Sequence, residues 1–189
     1  MTGEYTEEDG KKLIRLARES IEEEFDKNRK VGNERSNANA TQLDGKQFLQ
    51  ARGVFVTLTE KEELRGCIGL PYPVKSVKDA VLEAAKSAAF SDPRFPPLDE
   101  HEFGKIKIEI SILTMPQETD VKNIEIGKDG LICNYLGYSG LLLPQVALEF
   151  KMDRIKFLEA LCNKAGLPRD AWQDKKFKLW KFQCQIFSE

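Results

Sequence analysis

Histidine is nearly absent from this chain: there is one, His101, in 189 residues. That excludes a site built from several histidine ligands, and it leaves any Cys-His or Ser-His-Asp arrangement a single candidate base. Cysteine is also scarce, and its four copies, Cys67, Cys133, Cys162 and Cys184, are never closer than 22 residues. The close pairs that zinc sites and redox motifs use do not occur, so the thiols read as free and mostly buried and no metal is expected. No run approaches the roughly 18 apolar residues of a membrane span; the richest, Leu141 to Leu148, is broken by Pro144 and Gln145. The N-terminus places acids ahead of a helical pattern without an apolar leader, so no membrane attachment and a cytoplasmic location are expected. A strong charge of one sign is missing too, since the net charge of −2 gives no global attraction to nucleic acid.

What is present is ordinary globular material, 41% hydrophobic and 32% charged, in a length that falls in the usual range of about 100–200 residues for one domain. Between Lys151 and Lys181 nine Lys or Arg face four Asp or Glu, a local +5 that leaves −7 elsewhere. Within it Lys175, Lys176, Lys178 and Lys181 interleave with Trp172, Phe177, Trp180 and Phe182. Such a pattern can bind single-stranded nucleic acid, but lysines also protect an edge strand. The charge balance argues against nucleic acid as a partner.

The pattern alternates helices with hairpins. Thr6 and Asp9 open an amphipathic helix carrying Leu13, Leu16, Ala17, Ile21 and Phe25. Residues 31–42 carry no large core face and read as a mobile loop that could be shortened at little cost. Val54 to Leu58 and Leu64 to Leu70 read as a hairpin with the charged tip Glu60-Lys61-Glu62-Glu63. Ser76 caps a helix whose Ala80, Ala84 and Ala88 offer a flat face, and Asp92 to Pro97 is a stiff loop. Ile106, Ile108, Ile110 and Ile112 alternate with polar residues as a half-buried strand; with the 64–70 strand they should form the core sheet under the Ser76 to Phe90 helix. Hairpin turns are expected at 127–130 and 137–140, helices from Pro144 and from Asp153 to Gly166, and a last strand over Phe177 to Phe187. Without regular βαβ spacing the class is α+β, with antiparallel sheets and packed helices.

The segment Leu64-Arg65-Gly66-Cys67-Ile68-Gly69-Leu70 is the least routine. Two glycines weaken a strand and mark a bulge or a close approach. Period two sets Arg65, Cys67 and Gly69 on one face, where a guanidinium would lower the thiol pKa. The alternative is a buried Cys67 with Arg65 in a salt bridge. Glu109 on the isoleucine strand would pair with Arg65 if the strands were neighbours. The candidate catalytic pair is Cys67 and Arg65, with Gly66, Gly69, Asp92, Arg94 and Glu109 as ligand-binding candidates; nothing in the sequence places His101, the single candidate base, near Cys67.

Together LRGCIG (64–69), SDPRFPPL (91–98), GLLLPQVA (140–147) and the downstream FL…C.KAGL (157–167) resemble the AMMECR family. The resemblance covers nearly the whole chain. It implies a single α+β domain over 1–189 built from two subdomains, with LRGCIG as the functional site and no agreed reaction or cofactor. It also implies company: family relatives accompany a Memo-like protein and a radical SAM protein as protein A of the AmmeMemoRadiSam system. Two functions follow as expectations, an enzyme or enzyme-accessory protein acting on a small molecule at Cys67, or a non-catalytic module that binds protein or RNA.

Overall fold

The computed structural model describes residues 4–29, 43 and 45–189, so the loop expected over 31–42 lies outside the described residues. Its elements are α1 (Glu7–Arg29), β1 (Val54–Glu60), β2 (Glu63–Leu70), α2 (Val77–Phe90), α3 (Glu100–Phe103) and β3 (Lys107–Leu113), followed by β4 (Gln117–Glu118), β5 (Gly130–Tyr135), β6 (Tyr138–Leu142), α4 (Pro144–Glu149), α5 (Arg154–Lys164), β7 (Lys178–Phe182) and β8 (Cys184–Ser188). The class is α+β, with helices and two four-stranded sheets ordered β2-β1-β3-β8 and β4-β7-β5-β6. The chain forms two compact units, one of residues up to Ile112 with Gln185–Glu189 and one of Leu113–Cys184.

In the first unit local chemistry starts α1 and α2 where they were expected. The Asp9 N–H donates to the Thr6 hydroxyl and the Thr6 N–H to the Asp9 carboxylate, a reciprocal box that satisfies the first donors of α1. Ser76 accepts the Asp79 N–H at the start of α2. The β1–β2 hairpin turns on Lys61 and Glu62 at φ 52° and 65°, positive values whose twist matches that of the flanking strands although neither residue is glycine.

Val54, Val56, Leu58, Ile108, Ile110 and Ile112 point to one face of the sheet and are buried against Val77, Ala80, Val81, Ala84 and Ala88 of α2 and Leu13, Ala17 and Ile21 of α1. The alternation of the isoleucines and the flat alanine face are therefore parts of one core. Each such aliphatic side chain contributes about 1.5–3 kcal/mol by leaving water. β1 lies between β2 and β3, so the two strands expected to form the core sheet share it without touching.

The second unit packs α4 and α5 on its sheet, with Ile124, Leu131, Cys133, Phe157, Leu158, Leu161 and Leu179 in its core. Two expectations fail here. Residues 127–130 do not join two strands, because β4 pairs with β7 and the β5–β6 hairpin turns at Leu136 and Gly137, φ 51° and 91°. The last strand is broken at Gln183 into β7 and β8, which belong to different sheets. Its alternation looked continuous because both halves have one buried face. Among the described residues no helix is long and apolar enough to cross a membrane.

Candidate functional site

The LRGCIG residues occupy β2, an edge strand of the first sheet. The register runs Leu58 opposite Gly66 and Thr59 opposite Leu64, so Arg65 is the extra residue of a β-bulge. Bulges break the two-residue alternation and re-aim a side chain. Arg65 accordingly reaches α3, where its Nε and Nη2 each bond a Glu102 carboxylate oxygen at 2.9 Å, and its guanidinium lies 5.9 Å from the Phe95 ring centroid. The pair draws Glu102 down to about pKa 2, chiefly through the hydrogen bond from Arg65. The expected Arg65–Glu109 pair does not form, because β1 separates the two strands.

Cys67 sends its backbone outward from the edge. Its N–H donates to Asp92 Oδ2 at 2.8 Å, and its carbonyl accepts from Arg94 Nη2 at 3.0 Å. Arg94 Nε and Nη2 in turn bond the two Asp92 oxygens at 2.9 and 2.7 Å. The side chains of the 92–97 loop thus do for this residue what a neighbouring strand would do, which also blocks edge pairing. With the backbone turned outward, Thr57 and Cys67 form a non-hydrogen-bonded cross-strand pair, the kind whose side chains come closest. The Thr57 hydroxyl donates to Cys67 Sγ at 3.3 Å.

On the other side of Thr57 stands Glu109 of β3, so Cys67, Thr57 and Glu109 form one row across three strands. Alternating wide and narrow pairs place the Cα atoms of Cys67 and Glu109 about 10 Å apart. Glu109 is half-buried, and burial raises its carboxyl pKa. Gly66 faces the opposite side, against α2, where a Cβ would lie 2.2 Å from the Ala88 carbonyl oxygen; at Gly69 a Cβ would lie 2.2 Å from the Phe55 ring. The space these glycines leave is filled by protein at both positions.

The AMMECR1 family model matches residues 14–187. The chain belongs to the AMMECR1 family. A protein from Methanothermobacter thermautotrophicus is 44% identical over 96% of this chain and 95% of its own, and one from Methanosarcina mazei 45% identical over 97% and 93%. The crystal structure of PH0010, an uncharacterized protein from Pyrococcus horikoshii, is similar with a TM-score of 0.79 and 40% identity, over 94% of this chain and 89% of that one.

In this AMMECR1-family chain the other sequence candidates fall elsewhere. His101 is exposed on α3, its N–H donating to the Asp99 carboxylate; the same helix supplies Glu102, whose role the sequence reading missed. The signal was present, since Asp99 and Glu102 form a capping box. Thr57 and Phe95 were missed because their contribution depends on cross-strand and loop contacts. Cys133 and Cys162 are buried in the second unit, and burial pushes Cys133 up to about pKa 11 and Cys162 in the same direction. Of the basic C-terminal run, Lys181 is held by Asp129 and the Asn123 carbonyl, and Trp172 and Phe177 pack on the second core. Among the described residues no group of three His, Cys, Asp or Glu is placed to hold a metal ion.

The Asp92 side chain is 1% exposed, and its pKa lies well below the ordinary range, first through the hydrogen bonds from Arg94 and also through the Cys67 N–H. A depressed acid stabilises the fold above its unfolded pKa of about 3.9 and loses that contribution as pH falls through the folded value. Asp92→Ala should cost about 2 kcal/mol at neutral pH by stranding a backbone donor and a guanidinium. It should also flatten the loss of stability below pH ~4. Denaturant midpoints across pH 2–7 check both; an unchanged acid limb would show that Asp92 is not what holds Cys67.

Proposed function

We propose that this AMMECR1-family chain is an enzyme or an enzyme's accessory protein, and that a small molecule is bound and processed on the half-buried face carrying Cys67. The observation that supports it is the row Cys67–Thr57–Glu109: a half-exposed thiol accepting a hydroxyl hydrogen bond, with a desolvated carboxyl on the far side of that hydroxyl. In this reading the Cys67 sulfur adds to a polarised carbon–heteroatom double bond of the ligand, the S–C bond forming as the π bond opens onto the heteroatom, which takes up a proton as the thiol gives one up. Glu109 meets the ligand rather than the thiol, because about 10 Å separates the two Cα atoms. Asp92 and Arg94 fix the Cys67 backbone, and Arg65, locked to Glu102 and Phe95, forms the adjoining wall. Gly66 and Gly69 serve the site through packing, the first by admitting α2 and the second by seating Phe55.

The Memo-like and radical SAM partners that the sequence resemblance implies would supply or consume the small molecule, in the cytoplasm. The binding-module alternative predicts no special reactivity at Cys67.

Alkylation of the folded protein separates the two. Iodoacetamide at neutral pH should label Cys67 first, with Cys133 and Cys162 labelled only on unfolding, because both are buried with raised pKa values. If Cys67 reacts no faster than Cys184, the thiol is a packing residue. The segment then acts through its backbone or Arg65 as a docking site.

A further inference from the structure

We infer that the ligand of the Cys67 face carries a protonated amine or amidine, which pairs with Glu109. This rests on the reading that the face is a ligand site, and it adds the ligand's charge. Each nearby cation already has a carboxylate. Arg65 is held by Glu102 through two hydrogen bonds and Arg94 by Asp92 through two more. Lys107, two residues before Glu109 on β3, is paired with Glu62. Glu109 alone on this face has no ion-pair or side-chain hydrogen-bond partner among the described residues, and it is half-buried.

On the β1 side and along its own outward face beyond Lys107 its neighbours are neutral, and on the β8 side the Glu189 carboxylate, which accepts the Ile108 N–H, is held by Arg18. Thr57 stands beside it in the register, and Ser111 follows two residues along the same strand, opposite the aromatic Phe55. A carboxylate removed from water into such surroundings is unfavourable unless something pairs with it. A ligand N–H cation would meet that need with a charge-assisted hydrogen bond. An anionic ligand would meet the Glu109 carboxylate, with both arginines already engaged by carboxylates of their own. The separation of about 10 Å across Thr57 lets one small molecule hold its cationic end at Glu109 while presenting a carbon at Cys67.

Two measurements test the assignment. Cys67 is modified with two methanethiosulfonates of similar size, one bearing a trimethylammonium group and one a sulfonate, and the rate ratio is compared with that of N-acetylcysteine amide. A unit charge within several ångströms in a partly buried site should favour the cationic reagent by about tenfold beyond the free-thiol ratio. Glu109→Gln should abolish the excess while melting no lower than the parent, because burial alone strains the charged form of Glu109. In Cys67→Ser, propylammonium should produce saturable backbone amide shifts at Thr57, Glu109 and Ser111 that propionate does not, and Glu109→Gln should remove them.

The outcomes separate the two ideas. If no reagent modifies Cys67 but propylammonium still binds, the thiol chemistry fails and the cation site stands. A reactive Cys67 with no charge preference, together with no saturable ammonium shift, overturns the cation site and leaves the thiol chemistry standing.

Discussion

Ile108→Asp should leave little folded protein. Ile108 is fully buried near the start of β3, opposite Leu58 of β1, inside the core that β1, β3, α1 and α2 share. The substitution replaces an apolar side chain worth roughly 1.5–3 kcal/mol of burial with a carboxylate that has no partner. An unpaired buried charge neutralises or opens the structure, and the combined loss should exceed about 4 kcal/mol. For a chain of this size that is a fall in Tm of roughly 10 °C or more, if the protein folds at all. Ile108→Val is the control, with an expected cost of about 1 kcal/mol. Thermal and denaturant unfolding of the two variants decide the matter: comparable stabilities would mean that this face of β3 is not the core.

The second large effect is expected at a residue of the LRGCIG segment that never faces the thiol. Gly66→Ala would set a Cβ 2.2 Å from the carbonyl oxygen of Ala88, near the C-terminal end of α2. Backbone cannot rotate aside as a side chain can, so the helix end must move off the sheet or the strand must distort. Overpacking of this kind costs about 3 kcal/mol. The same methyl at Gly69 meets the Phe55 ring, which can swing away, so Gly69→Ala should cost less while disturbing the Cys67 face. The expected result is a denaturant midpoint well below the parent's for Gly66→Ala at an unchanged slope, with the smaller shift for Gly69→Ala. Equal shifts would contradict the assignment of Gly66 to helix packing. The two glycines of one short motif thus have different jobs.

That contrast shows where reading along the chain reaches its limit. From LRGCIG alone, the glycines indicate that something approaches closely; they do not say whether it is a helix, a ring or a ligand. Period two placed Arg65 beside Cys67, and a bulge of one residue redirected it. Such a bulge is invisible in sequence because it is defined by the partner strand: the shift appears only when Leu58 and Thr59 are set against Gly66 and Leu64. The unbroken alternation from Phe177 to Phe187 hid a change of sheet for the same reason, since alternation reports one buried face and not which sheet supplies it.

Features decided by neighbours in the chain were legible without coordinates. The Thr6 and Ser76 caps, the helix from Pro144, the stop at Gly166 and the isoleucine strand depend on contacts within about four residues or on a simple periodicity. So do the α+β class and, through motifs spread along the chain, membership of the AMMECR1 family. Three-dimensional structure alone decided that β1 stands between Cys67 and Glu109, that Arg65 belongs to Glu102, that the Asp92–Arg94 pair holds the Cys67 backbone, and that Glu109 has no partner among the described residues. Those relations join residues as many as 52 positions apart, Thr57 and Glu109 among them. Which of several possible carboxylates meets which cation is set by strand order and loop path, quantities that no local propensity encodes.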